Sequence, residues 1–156
     1  MRRLLIACAL ALTACATTPA RADPPDTTYA PRVEACVSAA ADEAALAACQ
    51  GVASHPCMDA VGGSTHGMVM CLSEEGDAWG ALMNAALQRL ASARPETAEA
   101  LSASQETWNT FREAACNYRV VRWGEGSGAR IELASCSASM TADRATELIL
   151  IEREGD

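Results

Sequence analysis

Apolar residues recur at helical intervals through the second half of the chain. Leu101, Trp108, Phe111, Ala115 and Tyr118 are separated by steps of three, four and seven. These steps set them on one side of a 3.6-residue period and predict a helix with that side against a core. Trp123-Gly124-Glu125-Gly126-Ser127-Gly128 then places three glycines in six residues. Each costs about 1 kcal/mol inside a helix, so the chain turns there. The helical pattern resumes at Ala129 with Ile131, Leu133, Cys136, Met140, Ala145, Leu148 and Ile151. The result is two antiparallel helices, with Cys116 and Cys136 on facing segments.

Upstream, Met70, Trp79, Leu82, Met83, Ala86, Leu87 and Leu90 give one face to a long helix from about Met68 to Ala91. Gly76 and Gly80 interrupt its start, which reads as local tolerance rather than a packing motif. Pro95 stops this helix and begins the next, with Glu96 and Glu99 near its positive end. Pro31 can open a short helix through about Ala40. Asp42 can cap a second that carries Leu46, Cys49 and Val52 on one face and ends at His55-Pro56. Cys57 to Gly67, with Gly62-Gly63-Ser64-Thr65, reads as a loop. No stretch alternates β-branched residues, and alanine favours helix, so the fold class is all-α: a small antiparallel helical bundle.

The N-terminus changes how the cysteines are read. Met1-Arg2-Arg3 precedes an eleven-residue run, Leu4 to Ala14, that is apolar except for Thr13. That run is too short to cross a bilayer and has the layout of a signal peptide. Leu12-Thr13-Ala14-Cys15 fits a lipoprotein box, in which Cys15 is lipidated; Ala20-Arg21-Ala22 fits ordinary signal-peptidase cleavage before Asp23. Both place the mature domain in the periplasm or the cell envelope, with no membrane contact beyond a lipid anchor at Cys15. Of eight cysteines, setting aside Cys8 and Cys15 leaves Cys36, Cys49, Cys57, Cys71, Cys116 and Cys136. An even number in a short exported domain argues for three disulfides. Ordered by locality, Cys116–Cys136 comes first, then Cys57–Cys71 and Cys36–Cys49, the last two being exchangeable among themselves.

Other chemistry is sparse. Cys49, His55, Cys57, His66 and Cys71 contain zinc-type ligands without a tight two-plus-two spacing, so no metal and no cofactor is expected. There is no Cys-x-x-Cys, no Gly-x-Ser-x-Gly, and no nucleophile beside the histidines, which points away from catalysis. The chain has 12 arginines, no lysine and 20 acidic residues. Removing Arg2 and Arg3 gives 10 minus 20, or −10; removing Arg21 as well gives −11. Such a domain does not favour nucleic acid and suits a cationic protein partner. Arg112, Arg119 and Arg122 oppose this balance. Two of them lie in the last turn before Gly124, where they complement the helix dipole; as forked donors they also suit a partner's carboxylate.

Several spaced positions agree with a known family. Gln105…Trp108…Phe111-Arg112…Cys116…Tyr118, Trp123-Gly124…Gly126, Cys136 and Thr141…Arg144-Ala145…Leu148 resemble the LprI-type lysozyme-inhibitor domain. Cys71-Leu72…Glu75…Trp79…Leu82…Asn84…Leu87…Leu90 resembles its first long helix. The resemblance covers Cys71 to Leu148, with one departure: Ala86 stands where the family often has an aromatic residue. It implies an exported inhibitor whose partner is a lysozyme. The rival expectation is an accessory envelope protein that binds another protein or a cell-wall fragment. The expected organisation is a signal peptide over 1–22, or 1–14 in a lipoprotein; a tether over 23–31; a Cys-bearing helical hairpin and loop over 32–66; and the LprI-like helical domain over 67–153. The candidate contact is the turn of Trp123, Glu125 and Ser127 with the neighbouring Arg119 and Arg122, while Trp108 and Tyr118 are expected in the core.

Overall fold

The computed structural model describes residues 28–155, all of whose regular elements are helical. The signal sequence, Cys15 and both cleavage sites lie outside the described residues. In order, α1 spans Tyr29–Ala39, α2 Glu43–Ala47, α3 Ser54–Ala60, α4 Thr65–Ala93, α5 Ala98–Trp123 and α6 Gly128–Glu154, with a 3₁₀ turn at Pro95–Thr97 before α5. Among these helices none is long and apolar enough to cross a membrane.

The core is the seam where α6 lies along α4. Trp79, Met83, Ala86 and Leu90 of α4 meet Ala142, Ala145, Leu148 and Ile149 of α6, and Val33, Val37, Leu46 and Cys49 close the same cluster from α1 and the α2 region. The helices approach closely because small residues face one another. A Cβ added to Gly76 would come within 3.2 Å of the Ala138 Cβ, so this glycine does mark a helix contact, contrary to the expectation of simple tolerance. Ala86 is fully buried, so the departure from the family pattern falls in the packing.

All three bridges join neighbours in sequence: Cys36–Cys49, Cys57–Cys71 and Cys116–Cys136, with Cα separations of 5.7, 5.7 and 5.6 Å. These are the pairs that locality put first, and the exchange left open among Cys36, Cys49, Cys57 and Cys71 does not occur. α1 starts at Tyr29, with Pro31 in its first turn, and Tyr29 donates its hydroxyl to Cys57 Sγ. Asp42 caps α2 by accepting from the Ala45 N–H at 2.8 Å. That helix ends at Ala47, and Val52 is exposed rather than sharing a buried face with Leu46 and Cys49.

The segment expected to be a loop is largely helical. Pro56 does not end a helix; it sits in the first turn of α3, where its missing N–H costs nothing. The start of α3 is held from a distance. Glu75 of α4 is 4% exposed and accepts from the backbone N–H groups of Gly51, Ala53 and Ser54 at 2.5, 3.0 and 2.6 Å. A carboxylate suits these donors because a helix N-terminus carries unsatisfied N–H groups and a partial positive charge. Ser64 likewise accepts from the Gly67 N–H, so α4 begins at Thr65, three residues before the expected start.

Two arginines tie down the far end. Arg153 donates to the carbonyls of Ala40 and Val37 at the end of α1, a C-terminal cap delivered from α6. Arg89 donates through Nε and Nη2 to the Glu152 carboxylate, joining α4 to α6. Chiefly through these hydrogen bonds, Glu152 is held below the ordinary carboxylate range and Arg89 is raised.

Replacing Glu75 with alanine should strip three buried donors of their acceptor and cost at least about 2 kcal/mol in urea unfolding, with the loss localised to α3 by hydrogen exchange. Glu152→Gln should cost less than about 1 kcal/mol, because the Arg89 side of the pair is half-exposed and screened by solvent. A depressed carboxyl lends stability that is present above its unfolded value and disappears as pH falls through its folded value. The difference between Glu152→Gln and the parent should therefore shrink in thermal melts as pH falls below the ordinary glutamate value of about 4.3.

Candidate functional site

α5 is held to the bundle in an unusual way. Its one buried residue is Cys116, whose bridge to Cys136 fixes it to α6. Polar clamps add to this. Arg144, 7% exposed, donates to Gln105 Oε1 at 3.1 Å and to Ser104 Oγ at 3.2 Å, and pairs with Glu147 at 2.8 Å. Arg112 donates to Thr141 Oγ1 at 3.1 Å and lies 5.1 Å from the centroid of the Trp108 ring. Arg112 thus makes an internal contact rather than joining the other arginines near the turn.

The expectation that one side of α5 faces the core is wrong for Phe111 and Tyr118, while Trp108 packs against the core only partly buried. Phe111 and Tyr118 are 62 and 67% exposed, whereas Leu101, Trp108 and Ala115 are half-buried. The side of α5 that meets α6 instead carries Gln105, Arg112 and Cys116. On α6 the pattern is also displaced: Leu133 and Ile151 are exposed, and so is Met70 on α4.

The turn between α5 and α6 forms the tip of the hairpin. Gly124 ends α5 with φ of 65°, a conformation glycine adopts without Cβ strain. Trp123 is 56% exposed, and its ring lies over Gly128, where a Cβ would stand 2.7 Å from the indole. The indole N–H donates to Glu132 Oε2 at 3.3 Å, and Arg119 Nη1 is 3.8 Å from Glu132 Oε1. Arg119, Arg122, Trp123 and Glu132 line a recess of about 400 Å³. The structure thus gathers three of the five expected contact residues, while Glu125 and Ser127 lie exposed in the turn outside this recess. Glu132, the residue that organises it, was not foreseen; a single acid in a helix gives no local signal.

A larger groove of about 710 Å³ runs between α4, α5 and α6. Gly76, Gly80, Asn84, Gln105, Asn109 and Arg112 are among its lining. It contains none of the expected contact residues. Of the five zinc-type ligands, Cys49, Cys57 and Cys71 are all taken up in disulfides.

The family model described as Lysozyme inhibitor LprI matches residues 57–148. The chain belongs to the LprI lysozyme-inhibitor family. Neither curated proteins nor solved structures give a match. The LprI match starts earlier than the resemblance read from Cys71, and so adds the end of α3 and both cysteines of the Cys57–Cys71 bridge. Converting Cys116 and Cys136 together to serine should lower stability by roughly 3 kcal/mol, in line with a 20-residue closure. Hydrogen exchange should quicken in α5 more than in α4.

Proposed function

We propose that this chain is an exported lysozyme inhibitor that acts by binding rather than catalysis, its turn 123–127 inserting into or capping the sugar-binding cleft. Family membership supports the class of partner. The observation that carries the mechanism is the half-exposed Trp123 indole, seated beside Arg119, Arg122 and Glu132 at the end of a disulfide-tied hairpin. Such an aromatic anchor, already ordered in the free protein, loses little freedom on docking.

The chemistry of the cleft complements this tip. Glycosidases of this kind place two carboxyl groups about the scissile bond, and the forked donors of Arg119 and Arg122 suit an anionic site. Glu125 meets cationic groups at the rim, while Ser127 and the turn's backbone supply hydrogen bonds. The net negative charge of the whole chain, −8, steers it toward a cationic enzyme. Export follows from the leader over 1–22, or over 1–14 with a lipid anchor at Cys15. The amides of Asn84, Gln105 and Asn109, set in the mixed lining of the larger groove, favour a second reading, an accessory envelope protein that takes up a cell-wall fragment.

Titration of the mature protein against lysozyme, followed by the turbidity of a cell-wall suspension, should show inhibition. Trp123→Ala with Glu125→Ala should weaken binding about tenfold or more while the helical spectrum is unchanged. Unaltered affinity would remove the turn from the mechanism, and a parent protein without effect on lysozyme would favour the groove.

A further inference from the structure

A recess of about 470 Å³ lies between α2 and the C-terminal half of α6. Its α6 side is one stripe of the helix, Asp143, Thr146, Glu147, Leu150 and Glu154, at steps of three and four. Glu43, Ala47 and Gln50 face this stripe from α2 and the turn after it. The two sides run in opposite directions, because Arg153 reaches Ala40 just before α2 while Gln50 donates to Asp143 Oδ1 at 2.7 Å. Glu43 and Glu154 therefore mark one end of the recess, and Asp143 and Glu147 the other. The Cys36–Cys49 bridge fixes the residue next to Gln50, so the walls are ordered without a ligand.

An acidic lining alone is the ordinary state of a solvated helix face. The observation that makes this one a site is Thr146. It is 8% exposed, it lines the recess between Asp143 and Glu147, and its hydroxyl has no hydrogen-bond partner. A threonine in a helix can return its Oγ1 to the carbonyl four residues back, as Thr141 does to Ser137 at 2.8 Å. Thr146 does not, and leaving a buried hydroxyl unpaired is costly. Its oxygen is available to a donor brought from outside.

The charge and shape narrow the choice of donor. No arginine lines the recess, and Glu43 and Glu154 have no ion pair among the described residues. The acids are strung out rather than gathered: among the described residues no three stand close enough to hold a metal ion. Counted from Glu147 or Asp143 to Glu154, the two ends are about 10 to 16 Å apart along α6, with Leu150 between them. Two anionic ends joined by an apolar middle match a chain of methylenes with an ammonium at each end.

We propose that the α2–α6 recess binds a linear polyamine. One terminal ammonium donates to Asp143, Glu147 and the Thr146 hydroxyl, the other to Glu43 and Glu154, and the methylenes lie on Leu150 and Ile151. Only Asp143, Thr146 and Glu147 of this lining fall within the residues 57–148 that the family model matches, so the site is separate from the inhibitory tip and stands without it. Because the carboxylates are exposed, affinity falls as salt rises.

Calorimetric titration of the disulfide-bonded protein with spermidine at low salt tests this. The expected result is saturable one-to-one binding that weakens about tenfold in Glu43→Gln with Glu154→Gln, and severalfold in Thr146→Val. Glu106→Gln with Glu113→Gln removes the same charge from α5 and should leave the affinity unchanged. Thr146→Val should melt no lower than the parent, since its hydroxyl has no partner to lose, so its weaker binding reports on the ligand. Absence of saturable binding, equal weakening in the α5 pair, or a Thr146→Val protein that binds like the parent would overturn the proposal. Acetyl-lysine methylamide, with a single ammonium, should bind far more weakly than spermidine; equal affinity would overturn the polyamine and assign the recess to a lysine side chain of a protein.

Discussion

The third long helix of the bundle is attached mainly by a covalent bond and two arginines, with Leu101 and Trp108 only partly buried against the core. α5 buries only Cys116. Its position then depends on the Cys116–Cys136 bridge, the Arg144 contacts to Gln105 and Ser104, and the Arg112 contact to Thr141. This is the expected solution for an aromatic-poor, alanine-rich chain. The α4–α6 seam and the N-terminal helices absorb Trp79 and most of the larger aliphatic residues, leaving little to pull a third long helix inward. Two surface features follow from that attachment. α5 leaves a groove against α4, and its own apolar residues remain in solvent.

Much of the fold was legible because it is built from neighbours. Proline, glycine clusters and the period of apolar residues located the long helices to within a few residues, and short separations in sequence put Cys116–Cys136 first while leaving the other four cysteines exchangeable. Periodicity reports which residues share a side of a helix, however, and not whether that side is turned to the core. Phe111 and Tyr118 share a side with Trp108, yet the inward position goes to Cys116 and to polar residues that reach the clamping arginines. Amphipathic patterning implies burial only when apolar area, rather than a disulfide and hydrogen bonds, sets the helix orientation.

The other differences have a long-range cause. His55-Pro56 and the glycines after it look locally like a break, but Glu75, more than 20 residues downstream, supplies the acceptor that lets α3 start there. Gly76 similarly acquires meaning only from Ala138 on another helix. At the tip, the turn and the exposure of Trp123 follow from Gly124 and its neighbours, whereas the role of Glu132 depends on how α6 folds back beside α5. What the local chain encodes was readable; what two separated segments create together was not.

The connectivity of the three bridges bears on how the protein acquires them. None encloses or interleaves with another: each cysteine of the six pairs with the next one along the chain. A polypeptide that emerges N-terminus first presents these six thiols in the same sequence. Joining each newly arrived pair before the next appears yields the native linkage with no shuffling, so simple stepwise oxidation is sufficient for its maturation.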